Sequence, residues 1–349
     1  MKAMLLRKLG PVTPESGPLA YSDMPEPSLD TGQILIRVSV CGVCHTELDE
    51  IEGRTPPPRL PVVLGHQVVG VVQDSRPASS PSAAEAPSHR VGQRVGVAWI
   101  YSACGHCKYC RAGNENLCEN FQATGRDADG GYAQYMKINA DFAHPIPDSL
   151  SDTEAAPLLC AGAVGYRALR LSNLADRQNL GLTGFGASNH LILKMVKYKF
   201  PKASVFVFSR NPEEREFARS LGAAWAGAID QAPPVLMDAI IDATPVWKPI
   251  TEALKHLAPG GRLVINAIRK EEVDKEELLR LDYPTQLWME KEIKSVANVA
   301  RSDVREFLTL AADAGIRPEV QEYDLQDANQ ALIELRLGKI RGAKVLRVR

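Results

Sequence analysis

The sequence predicts an α/β chain in two parts, a β-rich domain followed by a doubly wound, mostly parallel sheet. Three observations carry this. The chain has 349 residues, more than the roughly 100–200 of one ordinary domain. Its first part is built of short valine- and isoleucine-rich runs broken by Gly and Pro, the texture of short strands with turns between them. After Cys160, strand-like runs alternate with helical ones, and alternation of that kind builds a parallel sheet covered by helices on both faces.

Taken in order, Ile34–Val40, Val62–Leu64 and Val68–Val72 read as strands. The segment Asp74–Arg90, rich in Pro, Ala and Ser and without apolar periodicity, reads as an extended surface loop. Beyond Cys160 come the strand Asn179–Thr183 and the helix Ala187–Tyr198, whose Leu191, Ile192, Met195 and Val196 share one face. The strand Ser204–Phe208 and the helix Glu213–Leu221 follow, and Asp238–Ile241, Thr251–Leu257 and Arg262–Ile265 continue the alternation. There is no internal repeat and no heptad pattern.

Composition excludes several classes of function. Apolar residues make up 45% and charged residues 24% of the chain, which is globular rather than disordered. A net charge of -1 gives no bias toward nucleic acid or an acidic membrane surface. No apolar run reaches the ~18–20 residues of a membrane span, and Met1–Pro11 lacks the apolar block of a signal peptide. A cytoplasmic protein is expected. The seven cysteines, an odd number with three of them two residues apart, suit metal binding in a reducing compartment better than a disulfide framework.

Four of them form Cys104-x2-Cys107-x2-Cys110-x7-Cys118. Four thiolates surround a zinc ion tetrahedrally and leave no open position, which is the structural kind of site. Gly105 and Gly113 let the backbone curl around the metal. An iron–sulfur cluster takes the same ligand set. Since every ligand position is filled, the cluster braces a loop and carries no catalysis.

Cys44, His66 and Cys160 lie far apart, each beside glycine or at the end of an apolar run. Singly, each reads as a core residue. Together they supply two thiolates and an imidazole with room for a fourth, exchangeable ligand, the catalytic zinc pattern. Two thiolates cancel the charge of the ion and leave a neutral centre able to polarise an alcohol oxygen. Cys41 is then a small buried hydrophobe.

The strings CGVCHTEL, GHQ, CGHCKYCRAGNENLC, GGYAQY and PLLCAGAVGYRAL, in this order, resemble the zinc-containing medium-chain alcohol dehydrogenases, above all the bacterial and yeast-type enzymes of short alcohols. The likeness spans nearly the whole chain. It implies a GroES-like catalytic domain over residues 1–161 and 301–349 and a Rossmann dinucleotide-binding domain over 162–300. It also implies two zincs per subunit and a homodimer or homotetramer joined through the edges of the Rossmann sheets. The implied reaction is reversible hydride transfer between small primary or secondary alcohols, or their aldehydes and ketones, and a nicotinamide cofactor. Two other readings stay open: a zinc-independent quinone or enoyl reductase relative, and a cofactor-binding protein without turnover.

The resemblance also assigns roles. Cys44 rather than Cys41 is the zinc ligand, His45 is similar to the basic residue facing the cofactor pyrophosphate, and Thr46 is similar to the hydroxyl that takes the alcohol proton. Glu47 resembles the carboxylate that holds His66 in its tautomer, a partner that metal-bound histidines generally have. Two positions depart from the family. Asp49 stands where a proton-shuttling His is usual, and its ordinary pKa of ~3.9 is poorly matched to that work at neutral pH. Gln67 stands where a Glu is usual, which removes a negative charge near the metal. Trp99 resembles the bulky pocket residue of enzymes for short substrates, or else simply packs in the core.

The run Leu182 to Asn189 follows a strand and opens a helix. Gly184 and Gly186 match the first two glycines of the dinucleotide fingerprint, a tight turn and then close approach of backbone to pyrophosphate. Asn189 replaces the third glycine and is larger where helix and strand pack closely. At the end of the next strand Ser209 and Arg210 stand where an NAD enzyme usually places an acid for the ribose 2′-hydroxyl. An arginine there suits a 2′-phosphate, so NADP(H) is favoured over NAD(H). The alternative is an exposed turn arginine beside a site that takes either cofactor. Arg341 resembles the family arginine that returns to the cofactor phosphates, or is a solvated surface charge.

Overall fold

Strand Gln33–Val43 shows how the first part folds. Its even-spaced apolar residues, Ile34, Ile36, Val38 and Val40, are all buried while Arg37 faces solvent, the period-2 pattern of a half-covered strand. The computed structural model describes residues 1–77, 89–338 and 342–348. Most of the expected loop Asp74–Arg90, and Arg341, therefore lie outside the described residues.

Among the described residues the chain divides into two compact units: Met1–Cys160 with Ala300–Ala312 and Arg317–Arg349, and Ala161–Val299 with Asp313–Ile316. The first unit is β-rich. In its seven-stranded sheet the strands Ala143–Pro145, Arg94–Val97, Val68–Ser75, Gln33–Val43, Ala343–Arg347 and Val320–Asp324 lie side by side, and Tyr135–Asn139 also pairs with Gln33–Val43. A three-stranded sheet of Leu19–Asp23, Lys2–Leu6 and Val62–Val63 accompanies it.

The second unit carries a six-stranded sheet, all parallel, in the order Trp225–Gly227, Ser204–Phe208, Asn179–Thr183, Met237–Asp242, Leu257–Ile265, Glu292–Ser295. This is the doubly wound order. Its topological switch point lies between Asn179–Thr183 and Met237–Asp242, where the chain reverses its direction of travel across the sheet. Phe206, Phe208, Ile240, Ile250, Leu254 and Leu263 pack into one cluster on the sheet. The helix read at Thr251–Leu257 runs Lys248–Lys255 instead, and Leu257 begins the next strand. No helix among the described residues is long and apolar enough to cross a membrane.

Candidate active site

Cys44 lies at the N-cap of helix His45–Ile51, in extended conformation. Glu47 folds back from the first turn, and Cys44 N donates to its Oε2 at 2.8 Å. Its other oxygen accepts from His66 Nδ1 at 2.6 Å. One carboxylate, wholly buried, therefore sets both the sulfur-bearing backbone and the histidine ring.

His66 is held from the other side by the glycine-rich segment. Gly130 N, Gly131 N and Tyr132 N donate to the carbonyls of Val63, Gly65 and Leu64 at 2.8–3.0 Å. Gly65 has a φ of +97°, and a Cβ there would stand 2.8 Å from Cys41 Sγ. Only glycine suits both demands. Cys41 is completely buried, and burial pushes its thiol well above the ordinary value.

Cys160 sits in the π-helical turn Leu158–Gly162, just after Pro157. The proline removes an amide donor, and a widened turn of this kind is frequent at functional sites. The turn brings Cys160 Sγ to 4.0 Å from Cys44 Sγ. The ligand atoms of Cys44, His66 and Cys160 all lie within 4.8 Å of one another. A tetrahedral site with Zn–S bonds of ~2.3 Å has S···S edges of about 3.8 Å, so the spacing fits.

Electrostatics point to the same use. His66 Nε2 is buried and among the described residues has no hydrogen-bond partner, a costly arrangement unless another group is to be bound there. Burial opposes a charge on His66, but Glu47 and the Cys44 sulfur outweigh it and hold the imidazole well above its usual pKa. Contact with Cys160 brings Cys44 well below the ordinary thiol, while contact with Cys44 raises Cys160. Negative charge thus collects around a histidine that is cationic when nothing else is bound, and a divalent cation would take the place of the proton on Nε2. The residues fit a zinc ion.

The second cysteine set closes on itself. The sulfurs of Cys104, Cys107, Cys110 and Cys118 lie within 4.8 Å of one another, with Cys107 to Cys110 at 3.6 Å and Cys104 to Cys110 at 3.9 Å. Backbone amides of Cys104, Cys107 and Cys110 point at the sulfurs of Cys118, Cys104 and Cys107 at 3.4–3.5 Å. Such amides stabilise thiolates. Those of His106 and Cys107 bring Cys104 down to about 6, whereas burial pushes Cys110 up to about 12. Gly105 and Gly113 both have positive φ, as a curled loop needs. The lobe is anchored by buried Glu115, whose Oε1 accepts from Arg301 Nε at 2.5 Å.

The remaining expected residues are distributed as follows. Thr46 Oγ1 lies 3.8 Å from Cys44 Sγ, and His45 is exposed to solvent. Asp49 is buried, and Arg54 Nε donates to its Oδ1 at 2.5 Å. Gln67 is buried over Gly42, where any Cβ would collide with the amide. Trp99 packs on Phe121 with ring centroids 5.1 Å apart, and its buried indole nitrogen has no hydrogen-bond partner among the described residues. Phe121 escaped the sequence reading because nothing local marks it.

Gly184 turns with φ +73°, and Gly186 is the N-cap of helix Ala187–Lys199. A Cβ on Gly186 would meet nothing within 4 Å, so the helix N-terminus faces open space, as a pyrophosphate requires. Asn189 is fully buried, and its Nδ2 donates to the carbonyls of Thr183 and Gly184 at 3.0 and 2.8 Å. The larger residue is accommodated because it ties the glycine turn together. Across the switch point Asp242 is fully buried. It accepts from Thr183 Oγ1 at 2.5 Å, Thr244 Oγ1 at 2.7 Å and Lys270 Nζ at 2.5 Å. Arg210 is exposed, and Ser209 Oγ donates to Glu214 Oε2 at 2.5 Å. Neither Lys270 nor Glu214 was evident from the sequence.

Comparison with known proteins follows the same lines. Residues 30–148 match the family described as the alcohol dehydrogenase GroES-like domain. A probable alcohol dehydrogenase AdhA of Mycobacterium tuberculosis is 40% identical over 346 residues, covering 99% of this chain and 97% of that protein. An alcohol dehydrogenase of Geobacillus stearothermophilus is 33% identical and covers 95% of this chain and 96% of its own. The solved alcohol dehydrogenase of the archaeon Aeropyrum pernix superposes with a TM-score of 0.83 at 25% identity, over 99% of this chain and 100% of that one.

Proposed function

The chain belongs to the zinc-type medium-chain alcohol dehydrogenases, an oxidoreductase family, and from that premise we propose that it interconverts short alcohols with aldehydes or ketones at Cys44, His66 and Cys160. The observation that carries this is the orphaned Nε2 of His66 beside two sulfurs 4.0 Å apart. Three protein ligands leave a fourth position for substrate oxygen. Zinc and a nicotinamide dinucleotide, when bound, supply polarisation of the alcohol oxygen and acceptance of its hydride.

The chain's own residues do the rest. Glu47 keeps the proton of His66 on Nδ1, so that Nε2 stays free to ligate. Thr46, beside Cys44, would accept the proton of the substrate hydroxyl as it passes its own on toward His45 or Asp49, and so stay neutral. His45 is the carrier open to solvent, whereas Asp49 is buried against Arg54. Trp99 and Phe121 form an aromatic wall that suits small substrates. Arg210 offers a cation to a 2′-phosphate, which supports binding of NADP(H) as well as NAD(H).

Two metal sets support two zincs per chain. Purified protein is expected to hold about two equivalents by elemental analysis and to oxidise short alcohols with a nicotinamide absorbance change. One equivalent and no turnover would sink the proposal. Six of the seven cysteines fall in the two metal-ligand groups, and thiolate ligands of that kind support a reducing compartment such as the cytoplasm.

A homo-oligomer is also proposed. Strand Glu292–Ser295 ends the parallel sheet, is exposed at all four residues and pairs on one side only. Trp288, Met289 and Ile293 are exposed beside or within it. Unpaired strand edges flanked by apolar residues are joined by another chain or blunted. A second copy across this edge gives a two-fold dimer. Light scattering should give a dimer or larger for the native chain and a smaller species for Ile293→Lys, and a native monomer would refute the edge pairing.

A further inference from the structure

Strand Ser204–Phe208 delivers Ser209 to the end of the parallel sheet, where the adenosine ribose of a dinucleotide is held in this fold. The sequence offers no acid at that position. The structure brings one from elsewhere. Glu214, in the first turn of helix Pro212–Ser220, reaches back so that buried Ser209 Oγ donates to its Oε2 at 2.5 Å.

The loop around this contact is well tied. Asn211 N donates to Ser209 Oγ at 3.1 Å, and Asn211 Oδ1 caps the helix by accepting from Glu213 N at 2.9 Å. Arg215 Nη1 donates to the carbonyls of Ser209 and Arg210 at 2.8 and 3.3 Å. Glu214 is therefore held at Ser209 by a fixed turn. Arg210 projects outward, exposed to solvent.

A hydroxyl has a single proton to donate. While Ser209 gives it to Glu214, it cannot give it to a phosphate. A 2′-phosphate arriving here would have to take that donor away and lie next to a carboxylate, where like charges repel. A ribose 2′-hydroxyl meets no such penalty, because it can donate to Glu214 itself.

We propose that Glu214 is the cofactor-selecting residue of this chain, the ribose acid supplied from the helix instead of the strand end, which supports NAD(H) and holds down the NADP(H) affinity that Arg210 creates. The proposal rests on reading the Ser209–Arg210 loop as the adenosine-ribose end of the dinucleotide site.

The test is equilibrium fluorescence titration of the purified zinc-loaded protein with NADH and NADPH, without substrate. Glu214→Gln keeps size and removes charge. It should tighten NADPH about five- to tenfold and weaken NADH about twofold or more. Glu214→Asp, which restores the charge, should keep the wild-type order and serves as the second variant if the first folds poorly. Arg210→Ala should weaken NADPH alone. If Arg210→Ala weakens NADPH but Glu214→Gln leaves the NADH to NADPH ratio within twofold, the proposal fails and the loop reading stands. If neither variant changes either affinity, the loop reading itself is overturned.

Discussion

Cys160→Ala should lower kcat/KM for alcohol oxidation by about a thousandfold or more and release one of the two expected zincs while the other stays bound. The chemistry at this centre depends on charge balance. Two thiolates neutralise a divalent cation and leave it just acidic enough to polarise an oxygen at neutral pH. With Cys160 gone, one thiolate and one imidazole remain, and the set loses both affinity and geometry. Cys41→Ala is the matched control. Cys41 is equally a cysteine, lies near His66 in the fold, and belongs to neither ligand set. It should retain full zinc and activity. Elemental analysis and initial rates on both variants decide the matter, and a Cys160→Ala protein with two zincs and activity within tenfold of native would remove this residue from the site.

The ligand sets were readable in the sequence because metal ligation restricts residue type and spacing severely. Cys104, Cys107, Cys110 and Cys118 are close along the chain, so their meeting needs only a curled loop. Cys44, His66 and Cys160 are scattered, so residue type and glycine-flanked positions suggest the set, and the resemblance to a known order of motifs is what assigns Cys44 over Cys41. The alternation of strand and helix after Cys160 was legible for a similar reason, since a sheet buried on both faces demands nearly continuous apolar runs such as Val205 to Phe208. Apart from Glu47 with His66, which the resemblance implies, polar contacts were not legible. Glu214 meets Ser209 because a proline-started helix turns it back, and no periodicity announces that. Asn189 reads as a defect in a glycine motif and is in fact the amide that ties the turn. The indole of Trp99 finds Phe121 only through the fold. Hydrogen bonds and ring contacts between distant residues depend on three-dimensional placement, which a one-dimensional pattern does not encode.

Lys270→Met is expected to destabilise the chain by about 3–5 kcal/mol, seen in chemical denaturation of the full-length protein and as a fall in Tm on the order of 10 °C. Lys270 and Asp242 are 7% and 0% exposed as side chains. Nζ donates to Asp242 Oδ2 and also to the carbonyls of Thr244 and Val246 at 2.7 and 3.1 Å. The ammonium thus ties the segment after Leu257–Ile265 to the segment after Met237–Asp242, and Glu271 N adds a bond to Pro245 O at 2.7 Å. Asp242 in turn reaches across the switch point to Thr183, immediately before the turning Gly184. Removing the cation leaves a buried carboxylate with two hydroxyl donors and a long bond from Thr244 N at 3.4 Å, and an uncompensated buried charge is what makes the loss large. The sign of the coupling follows. Lys270→Met combined with Asp242→Asn should be less damaging than Lys270→Met alone, because the second change removes the stranded charge. NADH affinity of the single variant should also fall, since Thr244 backs the Gly184 turn so closely that a Cβ on that glycine would come within 3.0 Å of its methyl. A Lys270→Met protein with native stability and native NADH affinity would show that Thr183 and Thr244 satisfy Asp242 without the lysine, and that the pair does not hold the switch point together.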